Sequence, residues 1–126
     1  MKATFEIKEA TDGEYMFNLK AANDQVILTS QMYENKESAK AGIASVQQNA
    51  PLKERYEERS GTDGRWYFVL VAGNRQVIGR SQMYTTHEAM RKGIASVQKN
   101  APVAETVDLS LRVRAAGGEG PGEPLS

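Results

Sequence analysis

The sequence predicts an α+β domain made of two tandem strand–strand–strand–helix units followed by a closing strand. Three observations carry this expectation. Residues 13–51 and 64–102 align without a gap at a spacing of 51, and 22 of the 39 positions are identical. The first half of each copy alternates apolar and polar residues, the period of a half-buried strand. The second half repeats apolar residues at steps of four and three, the period of one helix face. A unit of about 50 residues hides too little surface to offset the entropy of ordering it, so the two copies are expected to share a core.

The elements follow in order. A short strand at Thr4–Glu9 returns at the same spacing as Arg55–Ser60 and as Thr106–Leu111. The predicted pattern is therefore β-β-β-α-β-β-β-α-β, with the middle strand serving both units. In the last of these segments Val107, Leu109 and Leu111 alternate with Asp108 and Ser110, which predicts one buried face. Tyr15, Phe17 and Leu19 form the apolar side of the next strand, matched by Trp66, Phe68 and Leu70. The runs Gln25–Gln31 and Gln76–Gln82 supply the third strand of each copy. Between second and third strands lie Asn23-Asp24 and Asn74-Arg75. A two-residue turn needs positive φ at both central positions, which Asn tolerates well and Arg poorly, so a longer loop through Ala22 or Gly73 stays open. Ala39, Ile43, Val46 and Ala50 mark the first helix face; Met90, Ile94, Val97 and Ala101 mark the second. Asn35 and Thr86 are the expected N-caps, with Glu37 and Glu88 in the first turn. Pro51 and Pro102 forbid continuation. Gly42 and Gly93 each cost roughly 1 kcal/mol inside a helix, which predicts that the helix backbone closely approaches the sheet there, with a ligand contact as the sharper alternative. Residues 1–114 are thus one domain: repeat one at about 1–51, repeat two at about 52–102 and a closing strand within 103–114. The Gly- and Pro-rich stretch 115–126 reads as a disordered tail.

Composition limits function. The 126 residues carry 16 basic and 16 acidic side chains, for a net charge of zero, and no cysteine. The balance is uneven: residues 1–51 hold five basic and seven acidic groups, whereas residues 52–103 hold nine and five. Only the second repeat is expected to attract anions. No run approaches the roughly 20 apolar residues of a membrane helix, and the charged, alternating start is unlike an export signal. The expected location is the cytoplasm, with no membrane partner.

Three segments stand out together: Gly13…Phe17…Leu19…Ala21, Ile27…Ser30…Tyr33, and Gly42-Ile43-Ala44-Ser45-Val46 with Asn49-Ala50. In these the chain resembles the YegP-like family, small bacterial proteins with one or two copies of a domain of unknown function. The counterparts of these segments run through Ala101, so about four-fifths of the chain is covered. Where the family favours Asn-Gly in its hairpin, this chain has Asn23-Asp24 and Asn74-Arg75. The resemblance implies two β3-α-β repeats in a single antiparallel sheet, with exchanged terminal strands and two helices on one face. It also implies a monomer that mimics the dimer of single-repeat relatives. It supplies no catalytic residues.

The sequence assembles no catalytic signature either. His87 is the only histidine and stands at a helix start, where side chains are usually solvated. No spacing of His, Cys or carboxylates suits a metal, and no Walker, dinucleotide or serine-elbow motif occurs. Gly61-Thr62-Asp63-Gly64 has turn chemistry, as does Thr11-Asp12-Gly13. No cofactor is expected, and the chain is read as a non-enzyme. The repeated Ser30-Gln31-Met32-Tyr33 and Ser81-Gln82-Met83-Tyr84 read first as strand-end packing and second as a recognition edge. Asn49 and Asn100 read as helix terminators. The functional lead is the sheet face away from the helices. Repeat one shows Met16, Asn18 and Lys20 there, whereas repeat two shows Tyr67, Val69 and Val71, near Arg80 under a tight-turn register. That apolar patch is the expected site for a protein partner. Its aromatic and basic character also allows weak nucleic-acid or anion binding.

Overall fold

Alternation along the chain builds one sheet. In the computed structural model, which describes residues 2–110, strands β1 (Thr4–Glu9), β2 (Tyr15–Lys20) and β3 (Val26–Thr29) precede helix α1 (Lys36–Asn49). Strands β4 (Tyr56–Ser60), β5 (Trp66–Val71) and β6 (Val77–Arg80) precede helix α2 (His87–Asn100), and β7 (Glu105–Asp108) follows. The sheet has seven strands in the order β4-β5-β6-β3-β2-β1-β7. Each helix is therefore followed by a strand in the other half, as an exchange of terminal strands requires.

Two details differ from expectation. The sheet is mixed, because β7 runs parallel to β1, with Thr4 opposite Glu105 and Ile7 opposite Asp108. A strand that arrives by way of a helix crossover returns in the direction of its neighbour, whereas a tight hairpin reverses it. The middle strand also serves only one half: β4 pairs antiparallel with β5 and with no other strand among the described residues. It occupies in repeat two the place that β1 holds in repeat one.

The hairpins use the longer loop. Asp24 and Arg75 adopt φ of 69° and 70°, and the Asp24 and Arg75 amides donate to the carbonyls of Ala21 and Ala72. This is a type I turn followed by one left-handed residue, which asks for positive φ at one position instead of two. The adjoining bulges fall at Leu19/Lys20 and Leu70/Val71.

Helix ends are set by named side chains. Asn35 accepts from the Ser38 amide and Thr86 from the Ala89 amide. At the other ends the Asn49 and Asn100 side chains fold back one turn and donate to the Ser45 and Ser96 carbonyls of their own helices at 2.8 Å. The glycines have their reason in two tyrosines. A Cβ on Gly42 would sit 2.7 Å from Tyr33 Cζ, and one on Gly93 equally close to Tyr84 Cζ. The close approach is thus to a ring, not to sheet backbone.

Both helices lie on the same sheet face over one core. Phe5, Ile7, Phe17, Leu19, Leu28, Phe68 and Leu70 meet Ile43 and Val46 of α1 and Met90 and Val97 of α2 in a single cluster. α1 contacts β2 but also β5 and β6, and α2 contacts β5 and β3, so each helix bridges the two repeats. The closing strand is shorter than expected. It ends at Asp108, whose carboxylate accepts from the Ser110 amide at 3.0 Å and opens a helical turn at Leu109–Ser110. Leu111 and the expected tail at 115–126 lie outside the described residues.

Candidate functional site on the uncovered sheet face

The site begins with strand geometry. Phe68 and Leu70 enter the core, so Tyr67, Val69 and Val71 point to the opposite face. Val69 has Glu57 opposite it on β4 and Arg80 opposite it on β6. The predicted neighbours Tyr67, Val69 and Arg80 are therefore brought together, although by the longer-loop register. The Arg80 guanidinium lies 5.5 Å from the centre of the Tyr67 ring, a cation–π contact.

The patch is not bare apolar surface. Val69 and Val71 are each only 1% exposed, although neither belongs to the helix-side core. Long charged side chains lay their stems along apolar neighbours and keep their heads in water, and this face is rich in them. Glu57 accepts from Arg59 at 2.9 Å and from Arg75 at 3.1 Å, one carboxylate oxygen for each. The Glu57 hydrogen bond, and after it one to Tyr67, raises the Arg59 pKa above its ordinary value. Repeat two thus presents three guanidinium groups and a tyrosine over a valine floor, with Glu57 at their centre. Beside Arg80, at the seam where β3 meets β6, lies an open groove of about 310 Å³ bordered by Thr29, Gln31 and Val77.

Repeat one closes the same surface with its own pairs. Lys20 reaches Glu6 at 3.4 Å, and Asn18 donates to Thr29 Oγ1 at 2.9 Å. The equivalents of Val69, Val71, Arg75 and Arg80 at the 51-residue spacing are Asn18, Lys20, Asp24 and Thr29. The tyrosine ring and the guanidinium groups are thereby confined to one half of the face, among the described residues. Sequence reasoning missed Glu57, Arg59 and Arg75. Their signal was present in the basic excess of repeat two, but locating them required the β4 register and the left-handed Arg75.

The repeated serine–tyrosine segments are mainly architectural. Ser30 Oγ accepts from the Phe17 amide at 2.9 Å and donates to the Gln31 carbonyl; Ser81 does the same for Phe68 at 3.0 Å and Gln82. Tyr33 pairs through its backbone with Tyr15, and Tyr84 with Trp66. Burial raises the Tyr33 pKa, partly opposed by a hydrogen bond with Gln31. Ser30→Ala should cost about 1–3 kcal/mol, because the buried Phe17 amide loses its acceptor. Chemical denaturation should show this as a lower midpoint at unchanged slope. A change within ~0.3 kcal/mol would mean that the hydroxyl is dispensable.

His87 is engaged locally. Its Nε2 lies 2.9 Å from a Glu58 carboxylate oxygen, and its ring meets Trp66 edge-on at 4.7 Å. Among the described residues no three His, Cys, Asp or Glu side chains converge in a way that could hold a metal ion. Among the described residues no helix is long and apolar enough to cross a membrane.

Comparison with known proteins agrees with the doubled architecture. The model of a domain of unknown function, DUF1508, matches twice, at residues 10–57 and 62–108. UPF0339 protein YegP of Yersinia pestis is 50% identical over 107 residues, covering 85% of this chain and 96% of the relative. A UPF0339 protein of Bordetella pertussis is 53% identical over 108 residues, covering 86% and 96%. The solution structure of yegP from E. coli, a protein of unknown function, superposes with a TM-score of 0.82 at 44% identity, covering 87% of this chain and 95% of that one. The solution structure of a UPF0339 protein from Shewanella oneidensis gives 0.83 at 40% identity, covering 88% and 94%.

Proposed function

Given that this chain belongs to the DUF1508 family of YegP-like proteins, we propose that it is a non-enzymatic binding module of the cytoplasm. It acts as a monomer and takes an acidic protein surface on the uncovered face of repeat two. Tyr67 and Arg80 are the contact residues, and Val69 and Val71 form the floor beneath them. The observation that carries this reading is the Tyr67–Arg80 pair set beside the Arg59–Glu57–Arg75 cluster. Aromatic and arginine side chains over a desolvated floor are the composition of interface hot spots. One observation favours a second reading: an arginine held on a tyrosine ring can stack a base, so weak binding of single-stranded nucleic acid is the alternative.

Capture from bacterial extract, with and without nuclease treatment, compares the wild-type chain with Tyr67→Ala/Arg80→Ala. Proteins held by the wild type and lost by the variant are the expected result. Retention of a single-stranded oligonucleotide that weakens steeply with salt, together with nuclease-sensitive capture, moves the assignment to the alternative. Identical recovery by both proteins, with no oligonucleotide retained, overturns both readings.

A further inference from the structure

The two halves differ most at their outer edges. In repeat one β7 lies along β1; in repeat two the outer edge of β4 has no strand beside it among the described residues. The consequences appear at each equivalent position. Phe5 and Ile7 are fully buried, whereas their counterparts Tyr56 and Glu58 are partly exposed and exposed. Ile43 is 4% exposed, and its counterpart Ile94 is only partly buried. A groove of about 310 Å³ runs between β4 and α2, bordered by Tyr56, Glu58, Arg91, Ile94 and Gln98. Its counterpart between β1 and α1 has Thr106 and Asp108 of β7 as its outer wall.

The side chains that hold β7 and the turn leading into it have counterparts around this groove. Gln47 donates to the Ala101 and Ala104 carbonyls at 3.3 and 3.5 Å; Gln98, its equivalent, makes no side-chain hydrogen bond among the described residues. Lys2 meets Glu105 at 3.4 Å; Lys53, its equivalent, borders the groove without an ion pair among the described residues. Lys36 meets Asp108 at 3.0 Å, but its equivalent His87 is taken by Glu58.

We propose that the β4 edge and the α2 groove bind an extended segment of a partner protein, running parallel to β4 as β7 runs to β1. The register of β7 transfers by the 51-residue spacing. The segment carries an acidic residue opposite Arg55, where Lys53 receives it, and a non-acidic residue opposite Glu58. Between these positions a small or apolar side chain lies against Ile94. Backbone hydrogen bonds to the exposed edge supply affinity, and the alternate side chains supply selectivity. The glutamate on the helix side of β4 protects the edge in the free protein, since an inward-facing charge opposes indiscriminate strand pairing. A second copy is a poor occupant. It could lend β7 only by uncovering its own β1, and antiparallel pairing of two β4 strands about Glu58 would set like charges opposite each other.

The probe is a synthetic peptide of residues 101–110 carrying Asp108→Thr, titrated into the isotope-labelled full chain. Shifts should gather on the Tyr56–Ser60 amides and the Gln98 side-chain amide, with slowed exchange along β4. Glu105→Lys in the peptide should weaken binding about three- to fivefold, the scale of one exposed ion pair. Lys53→Glu in the protein should reverse that preference. Shifts confined to β1, an unreversed preference, no binding at millimolar peptide, or a dimer closed through β4 without peptide would each overturn the proposal.

Discussion

Phe17→Ala and Phe68→Ala should each destabilise the protein by about 3–5 kcal/mol and leave a single unfolding transition. Both side chains are fully buried at equivalent points of the two repeats. Phe17 meets Phe5 edge-on at 5.8 Å and stacks on Tyr33 at 6.2 Å; Phe68 meets Tyr56 edge-on at 5.7 Å. Truncation leaves a cavity that neighbours held by backbone bridges and helix glycines cannot close. The single transition follows from helix placement. Each helix packs on strands of both repeats, so a cavity under one half weakens the support of the other. Chemical denaturation monitored by Trp66 fluorescence, which reports repeat two, and by far-ultraviolet dichroism, which reports both, should give coincident curves. If Phe17→Ala left the Trp66 transition in place and moved only the dichroism, the repeats would be separate folding units.

How far the sequence discloses this structure depends on the interaction concerned. Local chemistry was legible: Asn35 and Thr86 cap their helices, and Pro51 follows the end of α1 while Pro102 turns the end of α2 into a 3-10 turn. The doubled Gly-Ile-x-Ser-Val pattern announced a close approach, but a glycine does not say what approaches it. The answer, Tyr33 and Tyr84, was present in the other repeated segment. Strand direction was less accessible. Period-two alternation is the same in parallel and antiparallel strands, so the pairing of β7 with β1 depended on the crossover path. The uncovered face was legible in its residues and misread in its exposure. Val69 and Val71 alternate outward, yet register alone reveals that Glu57 and Arg80 flank Val69 and that Arg75 reaches back to Glu57. Side-chain stems that cover apolar surface are invisible to a pattern scored one residue at a time.

Truncation after Ala104 should destabilise the whole domain, whereas truncation after Arg114 should melt like the full chain. The shorter chain loses β7, and with it the strand beside β1 and the side chains of Thr106 and Asp108 that wall the α1 groove. Ile7 and Ile43 then gain solvent exposure, and partial exposure of each branched side chain costs about 1–2 kcal/mol. The Lys36–Asp108 pair at 3.0 Å, with each side chain only about one-fifth exposed, also disappears. The expected loss is about 2–4 kcal/mol, which at roughly 4–8 °C per kcal/mol lowers Tm by about 10 °C or more. Repeat two already shows what such an edge requires. There the counterparts of Phe5 and Ile7 are Tyr56, whose hydroxyl donates to the Ala50 carbonyl at 2.7 Å, and Glu58, which takes His87. An unpartnered edge in this fold carries polar residues that tolerate water; the β1 edge carries two fully buried apolar ones. Ile7→Glu introduced into the chain truncated after Ala104 should therefore recover solubility that the truncation alone loses, because it recreates the repeat-two solution. Should the chain ending at Ala104 melt within ~2 °C of the full protein, β7 would contribute nothing to the core, and the exchange of terminal strands would not be what stabilises the doubled sheet.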